Sequence, residues 1–427
     1  ENFIADIWCL KNSVGHSVRT IEECISKINE DSVIYTNLLD SRFIIGDKKL
    51  YKKLLTNITN KNIWSKNKFL LEKKLEQETR YNKFSNTGYL LEPNIKEGPG
   101  GFRDLQTLIW IAKKNFKTNS LFDIYKADII SKKEYLALLR AQRFLNKTRF
   151  LLHYIHEKPE ERLYFTSQKN LAELFGFDVK TNNGIEDYMQ IFYKHITNVK
   201  QLNEILLKYI EDKMTGPKEN YDKKIKEDFY IKKNIVYVKS DEVFIKNPTK
   251  IFEIFLLKDE KNNSYEISAD TIRYIRENLN LIDNNFRNNP ENKKLFFKLF
   301  LQENGVTSSL RKMYDYGVLA AYLKPFSKIV GMMQFDLYHI YTVDQHTLSV
   351  LSNTRYMSTL DCKNNYNFIY QIFKKLISPE ILYLGALFHD IGKGRKKDHS
   401  KIGAFESLKF CESHGMNKHQ SEMVCWL

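Results

Sequence analysis

Two histidines and an aspartate near the carboxyl end of this 427-residue chain form its clearest group of potential metal ligands. His389 and Asp390 are adjacent in SPEILYLGALFHDIGKGRKKDHS, and His346 lies upstream in YTVDQHTLSVL. Imidazole nitrogens and carboxylate oxygens bind the same divalent cations, and such a cation lowers the pKa of water enough to support hydrolysis. We therefore predict one metal site that contains His346, His389 and Asp390. The structural alternative is a helix-end hydrogen bond between His and Asp.

The residues that follow the His-Asp pair add positive charge beside the predicted metal site. Lys393, Arg395 and His399 all lie within GKGRKKDHS. Cationic side chains next to a bound cation are suited to a phosphate group, whose developing charge they stabilise. We predict that Lys393 and Arg395 contact the phosphate, and that His399 orients it or a second cation. A solvated lysine-rich loop is the alternative.

Helices must bring these ligands together. Ser378 is predicted to cap a helix whose first residue is Pro379, and Gly392 and Gly394 are predicted to end it. His389 and Asp390 would then lie on its last turn, and His346 would project inward from a second helix. Apolar residues at helical spacing predict the buried faces of both helices: Ile381, Leu384, Phe388 and Ile391 on the first, and Val343, Leu348 and Leu351 on the second.

A second candidate site is the glycine-rich run LEPNIKEGPGGFRDLQ at residues 91–106, which precedes an amphipathic segment. A glycine-rich turn that leads into a helix exposes backbone N–H groups and can bind a phosphate. The GxxxxGK[ST] spacing is absent, so the run is not a P-loop. A tight structural turn with charged flanks is an equally good interpretation. The candidate nucleotide-binding residues are Lys96, Gly98, Gly100, Gly101, Arg103 and Asp104.

Composition limits the possible partners and compartments. The formal net charge is +15, but the lysines are spread along the chain, so we do not expect a nucleic-acid partner. The sequence contains no run of 18 apolar residues, so it does not predict a membrane span. The five cysteines form no CxxC pair, which is typical of a reducing cytoplasm.

The apolar patterns predict a mainly α fold. Helical spacing is clear in IEECISKI, in VIYTNLLDSRFII and in KKEYLALLRAQRFLNKTRFLLHYI, where Tyr135, Leu138, Leu139, Leu145, Leu152 and Ile155 form the predicted buried face. MTGPKENYDKK, at 214–224, is typical of a linker, and NIVYVKSDEVFI predicts a strand or hairpin broken at Ser240 and Asp241. The predicted divisions of the chain are residues 1–75, 76–215, 216–330 and 331–427.

Several of these segments resemble known families. H…HDIGKG…DHS is similar to the HD superfamily of metal-dependent phosphohydrolases, whose further Asp ligand cannot be assigned before Leu427. YNKFSNTGYLLEPNIKEGPGGFRDLQTLIWIAK resembles the segment that follows the nucleotidyltransferase domain in bifunctional PII uridylyltransferase/uridylyl-removing enzymes. SVGHSVRTIEECI, LLDSRFIIGD, RLYFTSQKNLAELFG and MMQFDLYHIYTVDQHTL are similar to further stretches of that family.

The resemblance implies a cytoplasmic nitrogen sensor that transfers UMP from UTP to the PII protein and removes it by hydrolysis. It implies Mg²⁺ or Mn²⁺ as cofactor and glutamine as effector. Residues 1–75 would be a small α+β remnant of a nucleotidyltransferase domain, 76–215 a helical domain, 216–330 a connecting region, and 331–427 a partial all-α HD domain. The transferase carboxylates are expected before Glu1, and glutamine-sensing ACT domains after Leu427.

Three other functions remain open at this stage. A ppGpp synthetase/hydrolase also joins an HD domain to a nucleotidyltransferase, but in the opposite order. A tRNA nucleotidyltransferase with an HD tail would use the positive charge to bind RNA. A non-catalytic HD scaffold would bind PII without hydrolysing anything, although the presence of all three predicted ligands argues against it.

Overall fold

The computed structural model describes residues 6, 9, 15–60, 63–84, 90–214, 223–226, 228–258, 264–334, 341–395 and 398–427. Most of the predicted linker at 214–224, and parts of the segments that carry the resemblance, lie outside these residues. The described chain is mainly helical, which confirms the predicted fold class. It divides into two compact units, one of residues 1–78 and 109–127 and the other of residues 79–108 and 128–427. None of the described helices is both long enough and apolar enough to cross a membrane.

The first unit has a helical core in which Ile28, Tyr35 and Phe69 are fully buried. Its described residues form no strand, so the predicted α+β character of residues 1–75 is not seen there. The predicted helix through VIYTNLLDSRFII is too long, because it ends at Leu39 and leaves Ile45 exposed in a loop. The helices up to residue 126 are α1 (Ile21–Glu30), α2 (Ser32–Leu39), α3 (Lys48–Asn60), α4 (Lys66–Asn82), α5 (Phe102–Phe116) and α6 (Leu121–Lys126).

Two long helices, α7 (Lys132–His156) and α9 (Asn182–Met214), form the framework of the second unit, with α8 (Phe165–Leu174) between them in sequence. Ser131 and Glu134 form a capping box that fixes where α7 begins. Leu138, Leu145 and Leu152 are buried as the spacing predicts. The buried face is displaced from the prediction, because it also takes in Glu134, Ala141 and Thr148, whereas Tyr135, Leu139 and Ile155 lie at its margin.

The β structure lies in the region predicted to be connecting. The strands are β1 (Lys223–Lys226), β2 (Phe229–Lys232), β3 (Ile235–Tyr237) and β4 (Glu266–Ile267). β1, β2 and β3 pair antiparallel in sequence order, and β4 pairs parallel with β3. Lys233 and Asn234 both have positive φ between β2 and β3, as a two-residue hairpin turn requires.

The predicted strand NIVYVKSDEVFI is therefore correct only in its first half. Its second half is helix α10 (Glu242–Lys246), because Phe244 enters the core and is fully buried there. The antiparallel partner of β3 is instead β2, which precedes it in sequence. Further short helices complete this part: α11 (Lys250–Leu256), α12 (Ala269–Glu277), a 3₁₀ turn (Leu279–Leu281), α13 (Asn284–Asn288), α14 (Pro290–Phe300), α15 (Val306–Asp315), α16 (Val318–Tyr322) and α17 (Lys324–Ile329).

The carboxyl-terminal part is helical and carries the predicted metal ligands. Its helices are α18 (Val343–Tyr356), α19 (Leu360–Asn365), α20 (Asn367–Lys374), α21 (Glu380–Phe388), α22 (His399–Ser413) and α23 (Lys418–Trp426). Both predicted apolar faces are buried, with Leu351 and Leu384 no more than 1% exposed. Their burial fixes how α18 and α21 present the residues on their opposite faces.

Candidate metal centre

His389 and Asp390 lie in the turn that follows α21. The helix ends at Phe388 with His389 as its C-cap, so the prediction that Gly392 and Gly394 end it is wrong, and Pro379 is its N-cap rather than its first residue. Gly392 lets this turn pack closely on the start of α22, since an added Cβ would lie 2.1 Å from the His399 carbonyl oxygen. The role of Gly392 is therefore close packing rather than helix termination.

The three predicted ligands meet at one place. Asp390 Oδ2 lies 3.3 Å from His389 Nε2 and 4.0 Å from His346 Nε2. The two imidazole rings are nearly perpendicular, with their centroids 5.3 Å apart. One ligand atom from each residue lies within 4.8 Å of the others, which is close enough for a shared cation. The structure thus brings together residues that are more than 40 positions apart in sequence.

The hydrogen bonds of His389 orient it for metal binding. Its Nδ1 donates to the Ala386 carbonyl oxygen at 2.8 Å, so the proton sits on Nδ1 and the lone pair on Nε2. That Nε2 atom is buried and lies 3.3 Å from Asp390 Oδ2, with which it forms no well-aligned hydrogen bond. With the proton on Nδ1, an imidazole lone pair faces a carboxylate oxygen, and a cation between the two atoms would relieve this unfavourable pairing.

The charges around Asp390 keep it ionised. Burial alone would raise the pKa of Asp390, but the neighbouring His389 and Lys393 outweigh it and lower this pKa to about 2. Burial tends to lower the pKa of His389, yet the Asp390 carboxylate and the Ala386 carbonyl raise it overall. The carboxylate is therefore available to a cation at neutral pH, whereas protons compete for His389 as the pH falls.

One of the three predicted phosphate-contacting residues, Lys393, contacts a predicted ligand directly. Lys393 Nζ is 2.9 Å from Asp390 Oδ2. Arg395 donates to Glu406 at 2.7 Å, while its Nε and Nη2 are buried without partners in the described part of the chain. His399 begins α22 and is exposed, and none of its described contacts joins it to the three ligands. The predicted role of His399 thus lacks geometric support.

The glycine-rich run uses its own backbone N–H groups. Gly98 and Gly101 donate to carbonyls inside the loop, and Arg103 donates to the Lys96 carbonyl. The Gly100 N–H donates to the Asp104 carboxylate at 2.6 Å. These amides are therefore not available to a phosphate. The contacts favour the structural interpretation that the sequence left open.

Side-chain contacts support the same interpretation. Arg103 Nη2 lies 2.9 Å from Glu97 Oε1, and Lys96 Nζ lies 3.9 Å from the same oxygen. Asp104 is fully buried and accepts hydrogen bonds from Arg80 and Tyr81. The charges of the run are thus balanced locally. Nucleotide binding by these residues stays a prediction.

Two residues beside the metal centre were missed by the sequence reasoning. Asp344 is fully buried in the first turn of α18, two residues before His346. Gln334 accepts a hydrogen bond from Lys393 Nζ at 2.8 Å. An acidic residue in an apolar first turn was a signal for Asp344, but Gln334 has no recognisable local pattern.

The helices and donor set of this centre define an HD-type domain, and comparison with known proteins supports that class. Residues 343–427 match the family model of the HD domain. Residues 68–207 match GlnD PII-uridylyltransferase, and residues 229–322 match the uridylyltransferase GlnD third domain.

Whole-chain relatives agree with these matches. The chain is 39% identical to the bifunctional uridylyltransferase/uridylyl-removing enzymes of Hydrogenovibrio crunogenus and Nitrosococcus oceani, and 37% identical to that of Pseudomonas fluorescens. Each alignment covers 100% of this chain and 48% of the relative, so the chain spans about half the length of these proteins. The chain therefore matches domains of the GlnD uridylyltransferase and an HD domain along most of its length.

Proposed function

We propose that this protein is a uridylyltransferase/uridylyl-removing enzyme, and that His346, His389 and Asp390 form the centre at which UMP is hydrolysed from the PII protein. The convergence of these three side chains within 4.8 Å carries the proposal. The names of the relatives give the reaction its substrate class. A bound Mg²⁺ or Mn²⁺ would polarise the phosphoryl group and lower the pKa of water.

The protein's own residues have separate parts in this reaction. His389, with its proton held on Nδ1, offers Nε2 to the cation, and the ionised Asp390 offers a carboxylate oxygen. Two buried donors of Arg395, Nε and Nη2, have no partner in the described part of the chain, and their planar pair of N–H groups suits a phosphoryl oxygen. Lys393 places a positive charge 2.9 Å from Asp390 Oδ2.

The transfer of UMP from UTP to PII is proposed from the family matches alone. No transferase carboxylate is identified in this chain, and Lys96 and Arg103 remain only predicted triphosphate contacts. PII, UTP and UMP are thus the proposed partners, glutamine the proposed effector, and the cytoplasm the proposed compartment.

The test of the hydrolytic site uses Asp390→Asn in the protein expressed from its complete gene. We expect Mn²⁺ binding, measured by isothermal titration calorimetry, to weaken at least about 10-fold, and UMP release from uridylylated PII to be lost. Asp398→Asn is the matched control, because Asp398 is half exposed and its described side-chain contacts are with Ser400 and Lys401 at the start of α22. Wild-type metal binding and UMP release in Asp390→Asn would disprove the assignment.

A further inference from the structure

The segment of residues 328–334 contacts three separate elements of the second unit. It begins with the last two residues of α17 and includes Gly331 at φ +67°. It contacts α9, the helix that carries His346, and the turn that carries Asp390.

On one side, the segment is attached to α9. Gln190 Nε2 donates to the carbonyl oxygens of Lys328 at 2.8 Å and Val330 at 3.2 Å. Gly331 lies so close to α9 that an added Cβ would be 3.1 Å from Tyr193 Cβ. The backbone of the segment is thus fixed to a helix that contributes no metal ligand.

On the second side, the segment holds the first turn of α18. The Gly331 N–H donates to Asp344 Oδ2 at 3.0 Å, and the Val343 N–H donates to the Met332 carbonyl oxygen at 2.8 Å. Tyr314 also donates to Asp344 Oδ2, at 2.7 Å. Because Asp344 is fully buried, these bonds are protected from competition by water, and they fix the turn from which His346 projects.

On the third side, the segment contacts the turn after Asp390. Gln334 accepts a hydrogen bond from Lys393 Nζ, which also contacts Asp390. Gly394, at φ +74°, packs on Met332, since an added Cβ would lie 2.5 Å from Met332 Cε. The segment is therefore in contact with both metal-bearing elements at once.

We propose that residues 328–334 position the metal centre by fixing α18 and the Asp390 turn to α9, with Gln190 and Asp344 as positioning residues. The inference rests on the proposed function of the centre and adds residues that touch neither metal nor substrate. Outer contacts of this kind orient metal ligands, and their loss typically lowers metal affinity 10- to 100-fold. A change in the position of α9 would reach both ligand-bearing elements through one short piece of backbone.

Mn²⁺ affinity of the protein expressed from its complete gene tests the proposal. Electron paramagnetic resonance measures the Mn²⁺ that binds to the wild type but not to His346→Ala. Gln190→Leu removes the two bonds to the segment, and we expect its Kd for Mn²⁺ to rise about 3- to 10-fold. Gln201→Leu is the matched control, because Gln201 also lies on α9 but bonds to Arg276 instead.

The outcomes separate this inference from the proposed function. If His346→Ala removes none of the Mn²⁺ signal of the wild type, the proposed metal centre is wrong, and this inference is wrong as well. If the wild type binds Mn²⁺ and Gln190→Leu matches Gln201→Leu in both affinity and unfolding temperature, only the inference is overturned. A loss of affinity in Gln190→Leu alone supports it. Asp344→Leu removes the oxygen that accepts from Gly331 and Tyr314, and we expect it to weaken Mn²⁺ binding about 10-fold or more; unchanged Mn²⁺ affinity in this variant would also overturn the inference.

Discussion

Asp104 offers a sharp test of whether the glycine-rich run is structural. Its carboxylate is fully buried and accepts three hydrogen bonds: from Arg80 Nη2 at 2.5 Å, from Tyr81 Oη at 2.5 Å and from the Gly100 N–H at 2.6 Å. Burial and the adjacent carboxylate raise the pKa of Tyr81, so Tyr81 stays protonated and donates. Arg80 is itself only 7% exposed.

Replacing Asp104 with Asn keeps the side-chain volume but removes the charge that balances Arg80. The amide NH₂ cannot accept from the guanidinium, whose other polar contacts in the described residues are the Glu97 carbonyl at 2.8 Å and the Glu97 carboxylate 4.0 Å away. Breaking a buried ion pair on one side costs about 3–5 kcal/mol. For a unit of about 330 residues, whose unfolding entropy is about 2.1 cal/mol/K per residue, that corresponds to a decrease of roughly 4–7 °C in the unfolding temperature.

The assay is thermal unfolding by circular dichroism, with UTP affinity measured in parallel. Asp187→Asn, an exposed change in the same unit, should alter stability by no more than about 0.5 kcal/mol. Arg80→Met combined with Asp104→Asn should recover part of the loss, because no charge is then left buried without its partner. Unchanged stability with lost UTP binding in Asp104→Asn would refute the structural interpretation.

Three further predictions concern other positions. Gly100→Ala should lower the unfolding temperature of the protein far more than Gly176→Ala does. Both glycines have positive φ, but only at Gly100 would an added Cβ clash with the backbone, 2.0 Å from the Ile196 carbonyl oxygen. Burial lowers the pKa of His414 to about 4. Between about pH 6.5 and pH 4 only the unfolded chain gains this proton, so the unfolding temperature should decrease as the pH falls through that range. The same decrease in unfolding temperature in His414→Gln would contradict this prediction. Metal affinity should decrease below neutral pH in calorimetry as protons compete for His389.

The proximity of His346, His389 and Asp390 could be predicted because the signals for these residues are local; their role as metal ligands stays a prediction. His389 and Asp390 are adjacent, and apolar spacing identified the helices that carry them. The same spacing predicted the buried side of α18 and therefore the inward direction of His346. A local sequence pattern was enough to predict the position of a side chain wherever that position depends on the buried face of a single helix.

The remaining features depend on contacts between distant segments. The sequence indicated Asp104 as a candidate nucleotide-binding residue, whereas its partners Arg80 and Tyr81 lie more than 20 residues earlier. Phe244 follows a strand-like pattern, yet burial against other elements places it on a helix. Local preference for strand is weak and yields to tertiary packing, so neither outcome could be predicted from the sequence.

The position of Lys393 explains why this centre suits a phosphate ester. Its ammonium group and the two imidazoles surround the same oxygen of Asp390, and a bound cation would add further positive charge there. One carboxylate cannot balance a divalent cation and an ammonium group. The excess positive charge disfavours binding of the cation alone, and a negatively charged phosphoryl group relieves it. Because Gln334 holds Lys393 from the other side, the ammonium cannot simply move away from the cation. The same arrangement that limits metal affinity in the absence of substrate therefore favours substrates that carry negative charge at the reacting group.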